Sequence, residues 1–251
     1  MERPVEPVPA VEAEPAPAVL LAGAPTEITD PRVITILSTE HWSLLTARSL
    51  VYNETFTRGS MFLTLLSASL VALGFVYQGS GGGPEFLAVV VAVLALDLFV
   101  GLATLGRIMG ASGEEFRALQ ATARIRHAYL DIAPFVAPYL STATSDEPDS
   151  VLEVYGQDLG GEVSMLLNLG HGLTTMPGMI AALDAALVGG LVGSIGVALG
   201  GSAALALVLG IGAGIVALFV AMAWGMRTFS TLNRFSEVRF PREAASSNPP
   251  R

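Results

Sequence analysis

The sequence predicts an all-α fold, a four-helix transmembrane bundle with cytoplasmic helical extensions. Three observations predict it. Ala185 to Met226 is 42 consecutive residues without a charged side chain, and Gly200, Gly201 and Ser202 lie near its middle. About 20 apolar residues of helix cross a bilayer, so this length suits two spans and a tight turn. A second charge-free interval runs from Gly59 to Pro84, and the following run, Phe86 to Gly106, is interrupted only by Asp97. Backbone polar groups in hydrocarbon must be satisfied within the segment, which makes each run a helix. Threaded as four spans, the chain places all thirteen arginines on one side of the membrane.

Met1 to Thr29 holds six prolines and five acids. It buries too little apolar area to offset its ordering entropy and reads as a disordered acidic arm. It is a poor signal peptide, because its leading residues are acidic and its apolar run around Val19 to Ala24 is short. The membrane domain is expected over residues 30–227. Asp30-Pro31 has the form of a helix start, with Asp as N-cap and Pro at the first helical position. From there Trp42, Leu45, Ser49, Tyr52, Phe56 and Gly59 recur at spacings of three and four and share one helical face. Glu54 and Arg58 form an i,i+4 pair on another.

The spans are expected at about residues 60–78, 86–106, 178–199 and 203–226, the first two joined by the glycine-rich turn 78–84. Residues 107–176 form a polar cytoplasmic insertion. Ser112-Gly113-Glu114-Glu115 fits a capping box that starts a new helix, ending near Asp131 before Pro134 and Pro138. Ser145 to Ser150 reads as a flexible acidic stretch, and Val151–Asp158 and Glu162–Leu169 as two short helices. Pro177 opens the third span, and residues 228–251 form a cytoplasmic tail.

Basic residues resist translocation, so the arginine-bearing side is the cytoplasm. The expected location is the bacterial inner membrane, multi-pass, with both termini cytoplasmic. There is no cysteine, which excludes disulfides, thiolate metal sites and thiol catalysis. A net charge of −9 argues against general nucleic-acid binding, which needs basic surface.

Asp97, near the middle of the second span, and Asp184, seven residues into the third from Pro177, are the candidates for ion or proton chemistry. An acid in hydrocarbon is costly and marks a site by default. The plainer reading has Asp97 tie its helix to Thr64, Ser67 or Ser69, and has Asp184 reached by water and arginines near the interface. Ala185, Gly189 and Gly193 repeat every four residues, as do Gly196 and Gly200, and Gly210 and Gly214. Small residues at that spacing let helix backbones approach. They serve either the third and fourth spans of one chain or a homo-oligomer. His127 and Asp131 are i,i+4, yet a metal needs further ligands, and no metal or cofactor is expected. No nucleophile, base and oxyanion donor can be assembled into a catalytic motif.

Three runs of the chain carry a family likeness. The first is Ser38-Thr39-Glu40-His41-Trp42-Ser43-Leu44-Leu45-Thr46-Ala47-Arg48-Ser49-Leu50-Val51-Tyr52-Asn53-Glu54, which leads into Met61-Phe62-Leu63. The second is Arg124-Ile125-Arg126-His127-Ala128-Tyr129-Leu130, and the third is His171-Gly172-Leu173-Thr174-Thr175-Met176-Pro177-Gly178-Met179. Together they resemble a family of small integral membrane proteins of actinobacterial type, over residues 31–225. That resemblance implies location and shape and carries no activity. The architecture also resembles, loosely, the SLATT-type membrane effector domains of bacterial defence systems, and architecture does not fix function. The expected function is a non-enzymatic inner-membrane protein, a self-associating scaffold or effector. The alternative is an ion channel or transporter using Asp97. Expected partners are membrane lipid and further copies of the chain.

Overall fold

The computed structural model describes residues 27–153, 172–235 and 237–242. The expected acidic arm, apart from its last three residues, and the helix Glu162–Leu169 lie outside these. Among the described residues the structure is helical and contains no strand. Helix α1 (Pro31–Ser80) and helix α2 (Pro84–Ile132) are 50 and 49 residues long. At 1.5 Å per residue each extends about 75 Å, more than twice the roughly 30 Å hydrocarbon core. A 3-10 turn at Pro134–Tyr139 and a short helix α3 (Pro148–Leu152) follow, then α4 (Met176–Ala198) and α5 (Ala203–Phe235). Four of these helices are long and apolar enough to cross a membrane.

The helix starts follow their local chemistry. Asp30 caps α1 by accepting the Arg32 backbone N–H at 2.8 Å. Thr175 caps α4 by accepting from the Gly178 N–H at 3.3 Å. Between α1 and α2 the chain reverses through Gly81 and Gly82 at φ of 69° and 81°, left-handed conformations that glycine adopts without a Cβ penalty.

Two expectations about the middle of the chain are corrected. Ser112 caps no new helix. Its hydroxyl donates to the Ile108 carbonyl one turn back, and α2 runs unbroken from the span to Ile132. A capping box forms where the chain enters a helix, and here the preceding turn is already helical. The acidic stretch Ser145–Ser150 is not a loose loop. Asp146 and Ser150 are buried, and α3 starts at Pro148, three residues before the expected Val151. The remainder of the expected Val151–Asp158 helix lies outside the described residues from 154 onward.

Helix α2 is central. It packs against α1 on one side and α4 on the other, α5 packs on α4, and α1 and α5 occupy opposite edges. Phe62, Leu94, Leu105, Ile108, Ile180, Ala181 and Leu187 form the core where α1, α2 and α4 meet. Phe116, Leu119 and Val151 form a smaller cluster under α3.

The aligned face of α1 points the unexpected way. Trp42, Tyr52 and Phe56 are 68%, 65% and 68% exposed, and only Gly59 of the set is buried. Two charged residues, Arg48 and Glu54, face α2 instead. Arg48 pairs with Glu115 at 3.1 Å, and Glu54 accepts from Arg107 at 2.9 and 3.0 Å. Periodicity identifies a face; it does not say what covers it.

Candidate functional site

The site is built where α1, α2 and α4 converge inside the apolar layer. Asp97 projects from α2 and is 1% exposed. Ser69 of α1 donates its hydroxyl to one Asp97 carboxyl oxygen at 2.9 Å. The other oxygen has no partner among the described residues. Thr64 and Ser67, the other expected partners, face outward and donate to their own helix at Ser60 and Leu63.

Asp184, from α4, is 4% exposed, and neither of its oxygens has a partner among the described residues. Its carboxyl occupies the space a side chain at Gly101 would fill, with the Phe62 ring beside it. Gly101 lies one turn from Asp97 on the same face of α2, so both acids address one stretch of that helix. The arginines expected near Asp184 are engaged elsewhere. Arg107 is held by Glu54 and Glu114, and Arg58 by Glu54.

Three of the four carboxyl oxygens of Asp97 and Asp184 are therefore without a partner among the described residues and shielded from solvent. A bare carboxylate without a counter-ion in such a place costs several kcal/mol, about the penalty for any unpaired buried ion. A proton or a small cation on each acid would remove that cost. Thr104, also buried on α2, spends its hydroxyl on the Val100 carbonyl and offers no donor.

The glycines sort into two groups. A Cβ on Gly189 would lie 2.9 Å from the Gly210 carbonyl oxygen, one on Gly210 2.7 Å from the Gly189 oxygen, and one on Gly214 2.9 Å from the Ala185 oxygen. A Cβ on Gly193 or Gly196 would lie 3.4 Å from Ala206. These five let α4 and α5 of one chain meet backbone to backbone. Gly200 does not belong with them. It lies past the end of α4 in the turn, at φ 87° with open space around it, because the helix stops at Ala198.

Outside the membrane layer lie two ion-pair clusters, of which the first fixes α1 to α2. Glu54 is held at about 2, first by the Arg107 guanidinium and then by Arg58, which outweigh its partial desolvation. The second cluster was not legible in the sequence. Burial alone would raise the Asp146 pKa, yet it is lowered. The backbone N–H of Arg239, the Arg124 guanidinium at 2.7 Å and the Phe240 N–H at 2.8 Å stabilise the carboxylate. Gln120 also donates to the Asp146 carbonyl at 3.0 Å. One acid thereby joins α2, the 140–147 loop and the chain beyond α5. The only hint was an Asp preceding Glu-Pro in a stretch that otherwise reads as a solvated loop.

His127 lies 4.0 Å from Asp131, beyond hydrogen-bond length, and stacks on Phe240 at 4.4 Å between ring centres. Among the described residues no three acids or histidines gather as metal ligands. Set against protein families, curated proteins and solved structures, the chain matches none of them.

Proposed function

We propose that this chain is a multi-span protein of the bacterial plasma membrane, with both termini cytoplasmic, that takes up and releases a proton or small monovalent cation at Asp97 and Asp184. One observation carries the reading. Two acids are buried among apolar spans with three oxygens unsatisfied among the described residues, and Arg58 and Arg107, which flank the first two spans, are committed to Glu54 and Glu114. A purely structural acid would have its hydrogen-bonding capacity used, as buried polar groups do. Asp97 partly meets that description through Ser69, and Asp184 does not. The activity class is therefore ion movement or ion coupling through the membrane. The resemblance to small actinobacterial-type membrane proteins adds location and shape to this reading, and no activity.

The test is flux in proteoliposomes under H⁺, Na⁺ and K⁺ gradients for the wild type, Asp97→Asn and Asp184→Asn. Asn keeps the shape and cannot ionise. The expected result is wild-type flux for one of the three ions that is lost in both variants while their thermal stability in detergent is kept. A wild type silent for all three ions overturns the proposal, as does flux that persists in both Asn variants.

The second reading, a self-associating scaffold or effector, is favoured by a separate observation: the uncovered face of α1.

A further inference from the structure

The outward face of α1 is unlike the other exposed apolar surface of the molecule. On α5, residues such as Leu207, Val208, Ile211, Val216 and Phe219 are exposed, and all fall inside the span, where lipid covers them. On α1, Trp42 and Phe56 are both 68% exposed, and both precede the span at residues 60–78. Lipid tails do not reach this part of the helix, which projects about 40 Å beyond the hydrocarbon.

The polarity of this half of α1 is inverted for a helix that packs only within its own chain. Arg48 and Glu54 face α2 and are paired there, and the aromatic residues face away. A stripe through Thr35, Trp42, Ser49, Asn53, Phe56 and Thr64 continues past Ser67 to Val71 without a charged residue. Within it the hydroxyls of Thr35, Thr46, Thr64 and Ser67 donate to carbonyls one turn back. Their hydrogens are thus hidden, and small, nearly apolar surface is presented. At the membrane boundary Phe56, Thr57, Ser60, Met61, Thr64 and Leu65 line a shallow groove in the same face.

We propose that this stripe is a homodimer interface, occupied by the α1 helix of a second copy lying parallel to it. The partner must be uncharged both inside the bilayer and for several helical turns outside it, since the stripe offers no charge to pair with. Its apolar and small-residue segments must also stand at the same depths. A second copy inserted the same way meets both conditions, because a two-fold axis along the membrane normal sets each residue against its own equivalent. Area is sufficient. A strip about 60 Å long and ~10 Å wide buries about 600 Å² per copy, or ~1,200 Å² in total, the lower bound of stable specific interfaces. The Phe56 ring of one copy then meets the groove of the other, and Asn53 faces Asn53 near the middle, a contact that sets register in parallel helix pairs.

The chain has no cysteine, so single cysteines report the geometry directly. Ser49→Cys, Asn53→Cys, Thr64→Cys and Ser67→Cys are oxidised in native membranes. Controls are Ala47→Cys and Val76→Cys, also exposed but about 135–155° round the helix from the stripe centre. The expected result is disulfide-linked dimer at the four stripe positions at least tenfold above the controls. Equal yields at all six positions, or none, overturn the proposal. Asn53→Glu sets like charges opposite each other. It is expected to convert the solubilised dimer to monomer, read by light scattering, with helix content by circular dichroism unchanged. A wild type that is monomeric in membranes and in mild detergent overturns the proposal, as does a Glu variant that remains dimeric.

Discussion

Replacing Gly189 or Gly212 with Ala adds the same methyl group to a transmembrane glycine and should have opposite effects. At Gly189 the new Cβ stands 2.9 Å from the Gly210 carbonyl oxygen; at Gly212, on the other side of α5, it meets nothing within 4 Å. A carbon next to a carbonyl oxygen settles at about 3.3–3.6 Å, so the Gly189 methyl must push α4 and α5 apart by roughly 0.4–0.7 Å. A gap of that order forfeits about a quarter or more of the dispersion well along the contact. Overpacking of this kind costs about 1–3 kcal/mol. Against it stands a gain of ~0.8–1.0 kcal/mol from the better helix propensity of Ala. Gly189→Ala should therefore be neutral to about 2 kcal/mol destabilising, and Gly212→Ala stabilising by up to ~1 kcal/mol. Gly210→Ala should resemble Gly189→Ala, its Cβ lying 2.7 Å from the reciprocal oxygen. Unfolding midpoints in a detergent titration, followed by far-ultraviolet circular dichroism, measure the difference. Equal midpoints for Gly189→Ala and Gly212→Ala would show that the backbone contact is not what holds these helices, and would refute the reasoning.

Three further outcomes are expected. A cysteine at Ser80 or Ser202 should be labelled by an impermeant thiol reagent added outside spheroplasts, and one at Ser141 only after permeabilisation; the reverse pattern inverts the topology. Asp97→Leu, which abolishes the Ser69 bond, should lose about 0.6–2 kcal/mol in the same detergent titration, the range of interhelical hydrogen bonds. Asp146→Asn should free residues 237–242, seen as faster amide exchange there, and cost about 1–3 kcal/mol through charge-assisted bonds lost to Arg124 and the tail. Because folding lowers the Asp146 pKa from its ordinary 3.8, its contribution is complete above that pH and is lost as the pH falls below it toward the folded value. Wild-type protection of the tail should fade in that acid range, and a tail whose protection relative to intrinsic exchange is the same at pH 7 and pH 3 would count against the latch.

The four spans, their turns and the start of α1 were legible because each depends on local quantities. A charge-free run of about 20 residues, an Asp-Pro start and glycines in a reversal act within a few residues of themselves. The continuity of α2 through Ser112 was not, since a capping box is also a sequence that helices tolerate internally once the preceding turn exists. Asp146 was misread for a related reason. Acid, Pro and Ser in one stretch describe a loop, and only Arg124, Arg239 and Phe240, brought from elsewhere in the chain, turn it into a buried anchor.

By itself the sequence determined that the chain is helical, how many times it can cross a bilayer, and which acids lie within the crossings. Those properties follow from transfer of apolar residues and the need to satisfy backbone polar groups, both additive along the chain. The tertiary structure decided which side of each helix meets a neighbour. It put Asp184 against Gly101 with no counter-ion among the described residues, set Gly189, Gly193, Gly196, Gly210 and Gly214 into the α4–α5 contact of one chain, and turned the aromatic face of α1 outward. Facing depends on pairing between helices. Arg48 and Glu54 find Glu115 and Arg107 across the α1–α2 contact, and that long-range match leaves the aromatic face on the opposite side.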